Sequence, residues 1–204
     1  MAGTVRVETR TGASLLPLLP DLQRLRVQVF RAWPYLYEGA ASQDSPYLRA
    51  FAESPVAAIV VAFAGEEPVG AATCLPLADE SANVREPFEK AGLDVAPFFY
   101  FGESVLLPEW RGQGIGVRFF AAREAQARAA SDADFACFCA VERRADDPRR
   151  PPGHTPLDAF WGNRGYRPMP GLACTMRWRE VGAAGESAHR LQFWGKSLRT
   201  APLP

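Results

Sequence analysis

Histidine is scarce in this chain: His154 and His189 are the only two among 204 residues. Neither has a partner at ligand spacing, which argues against a zinc centre, and no metal is expected. The four cysteines, Cys74, Cys137, Cys139 and Cys174, form no C-x-x-C pair. Each lies in an apolar, strand-like run, so they read as small buried hydrophobes of a reducing compartment rather than as a disulfide framework. Long apolar runs are also missing. The longest, residues 55–65, is too short to span a bilayer. The opening Met1-Ala2-Gly3-Thr4-Val5-Arg6-Val7-Glu8 has no apolar signal core, so a cytoplasmic protein is expected, with no membrane partner. Net charge is absent as well. With 23 basic and 23 acidic residues, the chain lacks the bulk charge that drives nucleic-acid binding. No internal repeat and no G-x-x-x-x-G-K-[ST] phosphate loop occurs.

What is present is enough for one packed domain, with 48% hydrophobic residues. Alternation over residues 4–9 predicts a strand, and helical spacing over 15–33 predicts a helix with Pro20 in its first turn. Residues 35–47 read as a loop or broken helix and 46–53 as a short second helix. Apolar strands follow at 56–64 and 69–77, joined by Gly65-Glu66-Glu67-Pro68 as a hairpin. A helical fragment is expected at 84–91 and an aromatic strand at 97–107. A helix over 114–130, a strand over 135–141, a short helix over 157–163 and one or two strands over 166–179 complete the body. Residues 182–187 look like a flexible link. The segment 191–198 reads as a short amphipathic tail able to dock on the body or on a second subunit, leaving room for a homodimer. The boundary is therefore set at 1–180 for the domain and 181–204 for linker and tail. The fold class is α/β with a mixed sheet, mostly antiparallel before the glycines and with one β-α-β crossover after them.

The most informative stretch is Leu106-Leu107-Pro108-Glu109-Trp110-Arg111-Gly112-Gln113-Gly114-Ile115-Gly116. An apolar strand ends at Pro108, three alternating glycines follow, and helix formers continue from there. Glycines let backbone N–H groups approach an anion, and a helix start adds unsatisfied N–H groups and the positive end of its dipole. Arg111 adds charge suited to phosphate. Taken alone, the glycines could equally form a tight turn. The spacing Gly112-x-Gly114-x-Gly116 also departs from the dinucleotide fingerprint G-x-G-x-x-G, which disfavours a nucleotide-dependent oxidoreductase.

In this context the chain resembles the GNAT family of N-acetyltransferases. Arg111-Gly112-Gln113-Gly114-Ile115-Gly116 is similar to that family's [Gln/Arg]-x-x-Gly-x-[Gly/Ala] signature. The lead-in Leu106-Leu107-Pro108-Glu109-Trp110 resembles its approach strand. Leu157-Asp158-Ala159-Phe160-Trp161-Gly162-Asn163-Arg164-Gly165-Tyr166 is similar to its late Phe-Tyr-x-x-x-Gly-Phe element. The resemblance runs from the first strand to about residue 179. It implies a twisted, mostly antiparallel sheet of six or seven strands with a splayed parallel pair and about four helices.

The resemblance further implies an acyl-CoA N-acyltransferase domain that moves acetyl from acetyl-CoA directly to a primary amine of a small molecule or protein. The amides of Arg111, Gly112, Gln113, Gly114, Ile115 and Gly116 would hold the pyrophosphate. The backbone at Ser104, Val105 and Leu106 would pair with the pantetheine arm and polarise the acetyl carbonyl. Glu103, an acid in an aromatic strand beside the expected acyl site, is the candidate base. Its other reading is an outward-pointing side chain or a structural ion pair with an arginine. The family often has its acid a few residues earlier, where this chain has Tyr100. The family's usual proton-donating Tyr aligns with Trp161, whose indole cannot supply a proton near neutral pH. Tyr166 and His154 are possible substitutes, although Tyr166 reads better as core. Cys139 reads as an inert core thiol. The missing Tyr also motivates an alternative function, an acyl-CoA-binding sensor without efficient catalysis. For the acceptor, Tyr35, Tyr37, Glu38 and Asp44 lie on one side, and Glu142, Asp146, Asp147 and four arginines on the other. Carboxylates and tyrosines suit an amine, but ordinary solvated loops have the same composition.

Overall fold

A computed structural model describes residues 5–39 and 54–204. Its elements are β1 (Val5–Thr11), a 3-10 turn (Gly12–Leu18), α1 (Leu19–Phe30), β2 (Ala58–Ala64), β3 (Glu67–Pro76), a 3-10 turn (Leu77–Asp79) and α2 (Ala82–Lys90). They continue with β4 (Phe98–Leu106), a 3-10 turn (Pro108–Trp110), α3 (Ile115–Ala130), β5 (Phe135–Val141), α4 (Asp158–Gly162), β6 (Arg167–Arg179) and β7 (Glu186–Ser197). The seven strands form one sheet in the order β1-β2-β3-β4-β5-β7-β6. Only β4 and β5 run parallel; the other neighbours are antiparallel. The expected mixed sheet with one splayed parallel pair is therefore present. The helix expected at 46–53 lies outside the described residues.

Strand alternation sorts the core. Phe98 and Tyr100 of β4 join Val84 and Phe88 of α2, with Cys137, Cys174, Trp178 and Phe193. Their neighbours Phe99 and Phe101 join Phe120 and Ala127 of α3, with Phe138, Tyr166 and Trp194. Successive side chains of a strand point to opposite faces, so one strand serves two layers. α1 starts with Pro20 in its first turn and buries Leu22 and Leu25, one helical turn apart.

The domain boundary requires a correction. Residues 186–197 are a strand, β7, inserted between β5 and β6. Leu191 and Phe193 are buried on the α2 face, while Trp194 faces the α3 cluster. The apolar spacing is thus that of a strand, and over so short a run periodicity does not separate strand from helix. The link at 182–187 is the hairpin turn between β6 and β7.

Candidate functional site

The central feature is a bulge. Between β3 and β4 the register passes from Ala72↔Ser104 to Cys74↔Phe101, so Gly102 and Glu103 together oppose Thr73. The Thr73 hydroxyl accepts the Glu103 N–H at 2.8 Å and satisfies a donor that the bulge removes from the ladder. A bulge bends its strand and re-aims its side chains. The consequence appears on the other side of β4. Its pairing with β5 ends at Tyr100↔Cys137, although β4 continues to Leu106 and β5 to Val141. The two strands part there, and the β5-side edge of residues 101–106 has no strand partner among the described residues. Ser104, Val105 and Leu106 lie on this opened edge, with Ser104 exposed and Val105 buried.

The glycine loop stands at the end of that edge. Gly112 and Gly114 both have φ of +76°, a region that L-residues rarely occupy. Gly114 is the N-cap of the 16-residue α3. A Cβ at either glycine would meet nothing within 4 Å, so the space above the loop is open. Gly116 has a different role: a Cβ there would approach the Phe160 ring to 3.2 Å, so it permits α4 to pack closely on α3. Among the described residues, the N–H groups of Gly112, Gln113, Gly114, Ile115 and Gly116 have no acceptor. They lie at the start of a long helix, the positive end of its dipole, where anions bind. Arg111 departs from expectation. Its N–H donates to Pro108 O at 3.1 Å, closing the 3-10 turn, and its Nε donates to Leu106 O at 3.1 Å. Its amide is therefore not part of the open set.

Glu103 lies in an ion pair with an arginine of α1. Arg26 Nε of α1 donates to Glu103 Oε1 at 2.5 Å, and Arg26 Nη1 donates to Gln23 Oε1 at 2.9 Å. The two charged side chains are 16% and 14% exposed. Burial pushes the Glu103 carboxyl up, Arg26 pulls it partly back, and the charge of Glu80 adds to the rise. The carboxyl therefore remains above its ordinary range, as a proton acceptor requires.

Past the last β4–β5 pair, the Tyr100 hydroxyl lies 3.1 Å from Cys139 Sγ. Cys139 Sγ lies 3.8 Å from Cys174 Sγ. The Cys174 contact and burial hold the Cys139 thiol well above its ordinary value, so it is a poor nucleophile. Burial likewise raises the Tyr100 and Tyr35 phenols. Residue spacing alone gave no sign of the Tyr100–Cys139 contact or of Arg26. Of the two substitute proton donors, Tyr166 is committed to the core. The Tyr166 hydroxyl donates to Glu124 at 3.1 Å within the aromatic core. His154 packs edge-on to Trp33. Trp161 packs edge-on against Phe138 and Trp194.

The acceptor-side candidates are mostly committed to one another. Glu180 accepts from Arg149 and lies 2.5 Å from Arg143. Arg143 in turn donates to Pro34 O and Tyr35 O, and Trp178 Nε1 donates to Tyr35 O. Tyr37 bridges to Glu180 through the backbone. Residues 33–38 are thereby strapped to the β6–β7 hairpin. Asp146 pairs with Arg144, Asp147 with Arg149, Glu142 with Arg190 and Glu38 with Arg31. Each of these carboxylates is paired with a neighbouring arginine. Asp44 lies outside the described residues. Among the described residues, no three His, Cys, Asp or Glu side chains gather as a metal site, and no helix is long and apolar enough to cross a membrane.

No protein-family model and no curated protein matches the chain. Solved structures do. The yncA protein of Salmonella typhimurium, crystallised with its cofactor acetyl-CoA, aligns with a TM-score of 0.59 at 10% identity, covering 98% of each chain. A ribosomal-protein-alanine N-acetyltransferase from Brucella melitensis aligns with a TM-score of 0.58 at 16% identity, over 93% of this chain and 99% of its own. A GNAT-family acetyltransferase from Staphylococcus aureus Mu50 gives 0.55 at 10% identity, over 96% and 100%. The chain has the GNAT fold over nearly its whole length.

Proposed function

We propose that this protein is an acyl-CoA-dependent N-acetyltransferase that passes acetyl from acetyl-CoA to a primary amine by direct transfer. The observation that carries the proposal is the row of unpartnered amides from Gly112 to Gly116, set beside a strand edge opened by the bulge. A diphosphate suits the first feature and a chain bearing two amides suits the second. The acetyltransferases that share the fold support the same chemistry.

Acetyl-CoA would bring the activated acetyl thioester. The amides of Gly112–Gly116 would bind its pyrophosphate, and the free edge at Ser104, Val105 and Leu106 would pair with its pantetheine arm. One N–H of that edge would face the thioester oxygen and stabilise the charge that develops there. Glu103, held in place by Arg26, would take a proton from the acceptor ammonium. The freed nitrogen pair would then attack the carbonyl carbon, the C–S bond would break, the new amide nitrogen would lose its second proton to solvent, and the thiolate would be protonated from solvent.

Calorimetric titration with acetyl-CoA tests the proposal. Saturable binding with a Kd on the order of micromolar is expected. No heat of binding up to millimolar acetyl-CoA would overturn it.

A further inference from the structure

The opening between β4 and β5 has a floor. Backbone pairing closes it at Tyr100↔Cys137. One step up β5 on the same face, Cys139 reaches Tyr100 through its sulfur, 3.1 Å from the hydroxyl. Tyr100 is 4% exposed and packs within the buried cluster on the α2 face. Its ring packs near Phe193, and Cys174 stands behind Cys139 at 3.8 Å. On the opposite face, Phe99 and Phe101 are fully buried and Phe138 nearly so. Interiors packed this way yield little to an added methylene.

We propose that Tyr100 and Cys139 set the length of the transferred acyl group: their contact across the floor of the opening admits acetyl and excludes longer chains. The inference rests on the acyl-CoA reading above. A thioester whose arm runs along residues 106–104 places its acyl tip toward this floor. A two-carbon group ends before the Tyr100–Cys139 contact, whereas an eight-carbon chain would have to part it. The selecting element is thus steric, a phenol ring locked from behind, with the sulfur contact holding the ring in position.

The test is calorimetric affinity for CoA, acetyl-CoA, butyryl-CoA and octanoyl-CoA. The wild type should bind octanoyl-CoA at least about tenfold more weakly than acetyl-CoA. Tyr100→Phe keeps the ring but loses the sulfur contact, so it should lower that ratio in part, and by less than Tyr100→Leu. Cys139→Ala and Tyr100→Leu open the floor and should lower the ratio severalfold, with acetyl-CoA affinity little changed. Tyr100→Leu empties a buried position and can fail to fold; Cys139→Ala removes one atom and then decides the question. Equal wild-type affinity for all chain lengths overturns the gate and leaves the cofactor reading intact. So does an unchanged ratio in folded Cys139→Ala. Absence of binding by every thioester overturns the cofactor reading, and the gate falls with it.

Discussion

The two faces of β4 are built on opposite principles. Toward α3, Phe99 and Phe101 meet Phe120, Phe138, Tyr166 and Trp194 in a stack of rings. Its polar fixtures are Arg123, buried over the Phe101 and Phe120 rings, and Glu124, which accepts from Tyr166 and Lys196. Toward α1 and α2 the same strand presents Tyr100 and Glu103, which meet Cys139 and Arg26. Beyond them the Arg143–Glu180–Arg149 clamp secures residues 33–38. The α3 face is held by burial, at roughly 2–3 kcal/mol for each fully buried ring. The other face is held by directed contacts among groups that can also do chemistry. Regular alternation would have sent residue 103 to the α3 face with Phe101. The bulge at Gly102 and Glu103 turns it to the other, so one irregular residue separates a structural face from a reactive one.

The largest expected effect concerns the anion cradle and neither face of the strand. Gly114→Asp should weaken acetyl-CoA binding about a hundredfold or more, because it puts a negative charge where a helix N-terminus and free amides await an anion. Asp tolerates positive φ better than most residues, so Gly114→Asn separates shape from charge and should lose far less. Calorimetry on both variants gives the difference. Equal losses would mean that the loop's conformation matters and its charge does not.

The strand, glycine loop and helix around that loop were the most legible part of the chain's local structure. Residues 135–141 form a strand over the bounds their apolar run suggested, and α3 begins within one residue of expectation. Both depend on local signals: unbroken apolarity, glycine spacing, helix formers. The missed features depend on partners distant in sequence. Arg26 and Glu103 are separated by 77 positions, and Trp178 and Tyr35 by 143. No spacing rule links such residues. The bulge leaves only Gly102 as a local trace. β7 was misassigned because its apolar residues fit two periods equally well.

The next prediction compares the clamp with the cradle. Glu180 is depressed below its ordinary range: burial alone would raise it, and the bonds from Arg149 and Arg143 outweigh burial. Glu180→Gln should cost about 2 kcal/mol at neutral pH, less than a fully buried pair because Arg149 remains 45% exposed. A depressed carboxyl adds stability above its unfolded pKa and loses it as pH falls through the folded one. The gap between wild type and variant should therefore close as the pH is lowered from about 5 toward 3. Urea melts across that range would reveal it. Acetyl-CoA affinity should not change, since the clamp and the glycine loop share no residue. A drop in affinity would join the two regions that the structure keeps apart.

The smallest effect should come from Glu103, and it runs opposite to Glu180 in sign. Its folded carboxyl is raised. It therefore contributes stability below its unfolded pKa that is lost as pH rises through the folded one. Glu103→Gln should show no deficit at neutral pH comparable to that of Glu180→Gln. Its effect belongs to turnover. An unpaired base supplies about a hundredfold or more, but a carboxylate tied to Arg26 is a weaker proton acceptor, so a loss of about tenfold in kcat near pH 7 is expected. The loss should shrink toward high pH, where the acceptor amine already lacks its proton. Release of CoA, followed against a panel of primary amines at several pH values, measures both. A deficit that stays constant to high pH would assign Glu103 and Arg26 to holding α1 on β4, and would leave proton transfer to another group on the same face.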